Sequence, residues 1–388
     1  MAGLRRTLDE LHRYHHKLKT LFAKEAGGWR AGQHGVVDRL RPVTGFGTNP
    51  GRLRMLSYVP PNLPPGAPLV LVLHGCTQSA AGFDHATGWS TLADRCGFAL
   101  LYPEQTRDNN PNLCFNWFDP AHTARGRGEA CSIKQMIDHM VAEHRLDRAR
   151  IGITGLSAGG AMAAVMLATY PEVFAAGAII AGLPFGCATN VQQAFESMMQ
   201  GRSRPAAEWA ALVRNASSHA GPWPKLSIWH GDADQTVLPS NAAELVKQWT
   251  AIHGLAARPT LNAALEGMPY RAWHGRDGTM LVESITIPGM GHGAPIATGL
   301  GHAAPFVLDV GISSTHHIAR SWGLTAAPFV HGAAEQAADA YLHRPSLAVP
   351  VGRDEARSST NHATRKPGLA LDPAAVIHDA LRAAGLLK

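Results

Sequence analysis

The sequence predicts a doubly wound α/β fold, a mostly parallel sheet with helices on both faces. Three observations predict it. Leu69-Val70-Leu71-Val72-Leu73 is an unbroken apolar run, which suits a central parallel strand covered on both sides. Short apolar strands alternate with helical segments from about residue 50 to 324, as crossover-linked parallel strands require. Finally, Ile151–Thr154 reads as a buried strand, followed by the small-residue turn Gly155-Leu156-Ser157-Ala158-Gly159 and the helix formers Ala161–Ala168.

The elements follow in order. Leu4, Leu8, Leu11, Leu18, Leu21 and Phe22 recur at helical spacing, with Arg5, Arg6, Arg13, Lys17, Lys19 and Lys24 mostly on the opposite face. This basic amphipathic helix either packs on the main domain or attaches to a hydrophobic or anionic surface, such as a lipid- or polymer-coated body. Gly27-Gly28 ends it, and a Gly- and Pro-containing loop runs to residue 49. Strands are predicted at Leu53–Val59, Leu69–Leu73, Phe98–Tyr102, Ile151–Thr154, Ala178–Ala181, Leu226–Trp229 and Leu281–Ile287. Helices are predicted at Trp89–Cys96 and Ile133–His144. Residues 325–388 form a C-terminal extension. It has a polar, proline-containing stretch over 344–370 and a closing helix that starts at Asp372-Pro373 and carries Val376, Ile377, Ala380, Leu381 and Ala384. Three regions result: 1–49, a main domain over 50–324, and 325–388.

Composition sets the bounds. The 388 residues are 45% hydrophobic, enough for a large core, and no stretch approaches the ~20 apolar residues of a membrane-spanning helix. A net charge of +6 and a pI of about 9.2 come without any helix-turn-helix, zinc-finger or aromatic RNA-binding signature. The charge therefore reads as solvated surface, and no nucleic-acid partner is expected. The five cysteines, Cys76, Cys96, Cys114, Cys131 and Cys187, are odd in number and match no zinc spacing. Several fall near predicted strand ends, where one bridge fits. The N-terminus lacks the apolar core of a signal peptide, so a cytoplasmic location is expected, with secretion as the alternative if an export signal has been removed.

Strand, tight turn with serine, helix: this is the context of a G-x-S-x-G nucleophile elbow. A serine hydroxyl is a poor nucleophile at neutral pH and needs a base in reach and an acid to orient that base. In the α/β-hydrolase fold the chain order is serine, acid, histidine, which confines the search to the chain after Ser157. Two aspartates compete in His230-Gly231-Asp232-Ala233-Asp234, directly after a predicted strand. Asp232 falls in the first tight turn, where aspartate commonly bonds its own backbone; Asp234 lies deeper and is the expected acid. His292, in the glycine-flanked loop after the last strand, is the expected base, ahead of His274, His302, His316 and His317. The oxyanion donors are expected to be the amides of Ala158 and Cys76, the latter in the loop His74-Gly75-Cys76-Thr77. His74 then shapes the loop, and the Cys76 thiol is spare for a disulfide, Cys114 being one candidate partner. Phe83, Trp89, Phe115, Trp117 and Phe185 fall near strand ends and are expected to line a substrate groove, Trp117 first among them.

These motifs together resemble the polyhydroxybutyrate (PHB) depolymerase family of esterases, in the type whose oxyanion motif precedes the serine pentad. The resemblance is carried by VLVLHGCTQSAAGFD at 70–84, CFNWFDP at 114–120, GLSAGGAM at 155–162, AGLPFGCA at 181–188, HGDADQTV at 230–237 and GMGHG at 289–293. It implies an α/β-hydrolase with Ser157, Asp234 and His292 as triad, His74-Gly75-Cys76 as oxyanion element, and no metal or organic cofactor. It also implies a substrate drawn from short-chain polyhydroxyalkanoates or their oligomers or, as in close relatives, feruloyl, acetyl-xylan and simple short-chain esters. A reading from another class is a catalytically inactive granule-surface or scaffold protein.

Overall fold

A computed structural model describes residues 38–325. The predicted helices at 4–24 and after Asp372 lie outside the described residues, as does the polar stretch 344–370. The strands in chain order are β1 (Arg41–Val43), β2 (Arg54–Tyr58), β3 (Leu69–Leu73), β4 (Ala99–Glu104), β5 (Ile151–Leu156), β6 (Ala176–Ile180), β7 (Lys225–Gly231), β8 (Leu261–Leu265), β9 (Met268–His274), β10 (Met280–Ile287), β11 (Ala294–Ile296) and β12 (Val307–Asp309). The helices are α1 (Ala80–Thr87), α2 (Trp89–Cys96), α3 (Pro120–Thr123), α4 (Gly128–His144), α5 (Ala158–Thr169), α6 (Val191–Gln200), α7 (Ala206–Arg214), α8 (Ser240–Ile252) and α9 (Ser314–Ser321).

Ten strands form one sheet in the order β1-β2-β4-β3-β5-β6-β7-β10-β9-β8. The run from β4 to β10 is parallel throughout, and the outer strands pair antiparallel. This is the doubly wound arrangement the sequence predicts. β3 to β6 are buried at every position, which is why they read as continuous apolar runs rather than alternating ones. The strand order reverses at β3, since β4 flanks it on one side and β5 on the other. In open α/β sheets the crevice beyond the strand ends at such a switch point is where ligands bind.

Several elements differ from expectation. The sheet starts before residue 50, because β1 pairs with β2 and Leu40 is in the core. α4 begins at Gly128, five residues ahead of the predicted helix start. The hairpin β8–β9 was not expected, because β8 is an edge strand exposed over most of its length and has no inward apolar face to announce it.

Candidate active site

The site is assembled at the carboxyl ends of β3, β5, β7 and β10. Ser157 follows β5 directly, with φ 57° and ψ −119°, a left-handed conformation that a non-glycine residue holds only when its surroundings enforce it. Its amide donates to Ile180 O at 2.9 Å, locking the turn onto the neighbouring strand. The flanking glycines are sterically required. A Cβ on Gly155 would strike the Gly159 carbonyl, and one on Gly159 would strike the carbonyls of Leu73 and His74. The second collision shows how closely the elbow packs on the turn after β3.

That turn holds the expected oxyanion element. The amides of Cys76 and Ala158 donate to no acceptor among the described residues. His74 is fully buried, with Nδ1–H donating to Gly75 O at 2.8 Å and Nε2 accepting from the Gln105 amide at 3.2 Å. Burial pushes its pKa down, so it is a neutral, loop-shaping residue as expected. Cys76 is bridged to Cys114, and the Thr77 amide donates to Asn112 O at 2.7 Å, so two links tie the turn to the 105–119 loop.

The loop after β7 brings Asp234 to His292. His292 Nδ1–H donates to Asp234 Oδ2 at 2.8 Å, across a sequence separation of 58. Asp234 Oδ1 accepts from the amides of Thr236 and Val237, both at 2.9 Å. Burial alone would raise this carboxyl, but the neighbouring imidazoles of His292 and His230 outweigh it and hold Asp234 well below the usual carboxylate range. It is a fixed anion. With Nδ1 committed, His292 Nε2 carries the lone pair; it is buried and has no hydrogen-bond partner among the described residues, Ser157 included. Phe306 packs edge-on behind the imidazole, at a ring separation of 6.0 Å. Asp232 is exposed and accepts from the Gly289 amide at 2.6 Å, bracing the histidine loop from outside.

The competing histidines have other tasks. His274 bonds Thr260 at the sheet edge, His302 stacks on His85, His317 pairs with Glu283, and His316 lies on α9. Among the aromatics, Trp117 is buried in the core at 8% exposure, and Phe185 packs partly buried against that core. Trp117 is edge-on to Phe118, and Phe185 is half-buried, its backbone clamped by both ends of the Gln248 amide. The structure corrects the expectation for Phe83 and Trp89. Each is only 2% exposed, packed in the core under α1 and α2, and offers no face to a ligand. Phe115 is likewise core, tilted against His74.

Sequence reasoning missed two residues next to the site, His230 and Glu129. Glu129, on the first turn of α4, is fully buried beneath the 105–119 loop. Gln105 Nε2 (2.7 Å), Asn116 Nδ2 (2.6 Å) and the Asn116 amide (2.9 Å) all donate to it. It was hidden because the predicted helix began four residues later. Burial pushes its carboxyl up to about 7, against those hydrogen bonds. A native-state value above the unfolded ~4.3 means the fold prefers the protonated form. Its contribution is intact below the unfolded value and is lost as pH rises through about 7. Linkage sets the loss at roughly 2 kcal/mol between about pH 5.5 and about pH 8. Denaturant melts of wild type and Glu129→Gln across that range are expected to diverge by this amount; parallel curves would show that the carboxyl does not titrate there.

Comparison with known proteins places this geometry. The family model described as "Esterase PHB depolymerase" matches residues 55–266. The chain is similar to a poly(3-hydroxyalkanoate) depolymerase C of Paucimonas lemoignei, 47% identical over 294 residues, 74% of this chain and 71% of that protein. It is also similar to a feruloyl esterase B of Neurospora crassa, 34% identical over 274 residues, 67% of this chain and 90% of that protein. Among solved structures, an acetyl xylan esterase from Aspergillus awamori superposes with a TM-score of 0.63 at 27% identity, covering 74% of this chain and 99% of that one.

Proposed function

This chain belongs to the PHB depolymerase family of esterases and is a carboxylic ester hydrolase of α/β-hydrolase fold, and we propose that it cleaves short-chain polyhydroxyalkanoate or its oligomers through an acyl-enzyme on Ser157. The observation that carries the mechanism is the buried Asp234–His292 pair, whose imidazole leaves Nε2 without a hydrogen-bond partner among the described residues at the end of the sheet where the strained Ser157 turn lies. His292 Nε2 takes the Ser157 proton as Oγ attacks the ester carbonyl, and the amides of Cys76 and Ala158 receive the oxyanion. His292 returns the proton to the departing alcohol, then draws one from water as it attacks the acyl-enzyme, and Ser157 is restored as the acid leaves. Asp234 stays ionised throughout and stabilises the imidazolium. Catalytic hydrogen bonds are commonly long before substrate binds, so the unpartnered Nε2 is compatible with this role.

The identity to a polyhydroxyalkanoate depolymerase, well above that to the feruloyl esterase, favours polyester over aryl ester as substrate. Trp117 and Phe185 are the aromatic side chains we assign to its groove. The sequence over 4–24, with its apolar residues at helical spacing and its basic residues opposite, suits an anchor to a granule surface. For location, the Cys76–Cys114 bridge favours an oxidising compartment, and so the secreted alternative over the cytoplasmic one. Turnover of amorphous PHB granules, soluble 3-hydroxybutyrate oligomers and feruloyl esters, measured side by side, tests the substrate. Release of 3-hydroxybutyrate units is expected to dominate. Efficient feruloyl cleavage with no 3-hydroxybutyrate release would overturn the polyester reading in favour of a small-molecule carboxylesterase.

A further inference from the structure

Two histidines, not one, reach the candidate acid. His230, near the end of β7, is buried, and its Nε2 lies 3.3 Å from Asp234 Oδ2, the oxygen that also accepts from His292. The same Nε2 lies 2.7 Å from Val237 O, so its single N–H spans the turn from strand end to closing residue. Which nitrogen each imidazole spends separates their tasks. Among the described residues, His292 commits Nδ1 and leaves Nε2 without a partner, whereas His230 commits Nε2 and leaves Nδ1 buried without one. A proton on that Nδ1 would have no acceptor, so the geometry fits a ring that donates through Nε2. Having no free basic nitrogen at the sheet edge, it is not an alternative base.

We propose that His230 is a positioning residue for ester hydrolysis: its ring, anchored by the Nε2–H bond to Val237 O, lies 3.3 Å from Asp234 Oδ2, keeps that oxygen in line with His292 Nδ1 and shares its charge, which limits how strongly the carboxylate favours the imidazolium. The inference rests on the reading of Asp234 and His292 as acid and base. Among the described residues, the titratable groups facing Asp234 are His230 from β7 and His292 from the loop after β10. Asp232 turns away to the Gly289 amide. Removing the His230 ring leaves the carboxylate charge less dispersed, so the Asp234–His292 pair favours the imidazolium more strongly.

The test is the pH profile of kcat/KM on a soluble short-chain ester for wild type, His230→Leu and His230→Gln. In His230→Leu the acid limb is expected to move up by about half to one pH unit, and plateau kcat to fall by roughly ten-fold, with KM within about two-fold. His230→Gln keeps an N–H donor that is weaker and differently placed, and is expected to fall between. If the leucine variant does not fold, the glutamine variant carries the test in the same direction. An acid limb and plateau kcat equal to wild type in a folded variant would make His230 structural only and overturn the inference. Asp234→Asn separates this from failure of the parent reading. A loss of about 10⁴-fold in kcat is expected there by analogy with serine-protease triads. A near wild-type Asp234→Asn would sink the triad itself. A collapsed Asp234→Asn beside unmoved His230 profiles would sink only the proposal made here.

Discussion

Ser157→Ala is expected to lower kcat by about 10⁴- to 10⁶-fold on any ester the protein turns over, with the fold intact. The serine sits in a turn built by its neighbours rather than by its hydroxyl. Its amide is bonded to Ile180 O, and the adjoining glycines make the close contacts. Removing Oγ therefore deletes the proposed nucleophile and leaves the scaffold. A fluorophosphonate probe is expected to label wild type and not the variant, while thermal unfolding of the two coincides to within a few degrees. Residual turnover within ten-fold of wild type would exclude the acyl-enzyme. Absence of labelling in wild type would instead favour the inactive scaffold reading.

Gly159→Ala sets two effects against each other, and their sizes decide the outcome. Gly159 lies in the first turn of α5, where alanine is the better helix former by about 1 kcal/mol. The added methyl, however, would meet the backbone carbonyls of Leu73 and His74, which cannot rotate aside as a side-chain tip does. Overpacking against fixed backbone commonly costs about 1–3 kcal/mol or more, so the clash outweighs propensity. The displaced groups are the last residue of β3 and the start of the oxyanion turn, so activity is expected to suffer as well. We expect a net destabilisation of roughly 2 kcal/mol by denaturant melt, with kcat down by at least about 100-fold. Gly82→Ala is the matched control, because a methyl there meets only the Ser79 hydroxyl at 3.1 Å. A Gly159→Ala protein as stable and active as wild type would mean that the elbow and the oxyanion turn are not packed as described.

Much of this site was legible because its parts are local. The strand, glycine turn and helix around Ser157 are one contiguous pattern, and the steric need for glycine is expressed at adjacent positions. The preference for Asp234 over Asp232 came from turn geometry, and the structure separates them in that way: Asp234 turns inward to His292, while Asp232 caps the Gly289 turn from outside. The aromatics were not legible in this way. Phe83 and Trp89 sit as close to predicted strand ends as Trp117, but whether such a ring faces crevice or core depends on how α1 and α2 lie against the sheet. Glu129 was illegible for a related reason. A buried carboxylate looks like a surface one until the Gln105 and Asn116 donors that satisfy it are brought over it by the chain. The unexpected β8–β9 hairpin turns at Glu266-Gly267, both at positive φ, without the Asn-Gly or Asp-Gly signal that usually marks such a turn.

The sequence by itself determined the parallel strands and the glycine-flanked turn at Ser157, because each is written in residues a few positions apart, and it singled out Asp234 and His292 as the candidate acid and base by their places after strands. Tertiary structure decided everything that depends on groups meeting across long separations. It joined Asp234 to His292 over 58 residues and chose Cys114 for Cys76 over 38. It also placed a second imidazole on the acid and a buried carboxyl under the 105–119 loop. Local pattern records which conformation a segment prefers. Which polar groups end up buried together, and so which protons are held where, is settled only when distant segments exclude water from one another.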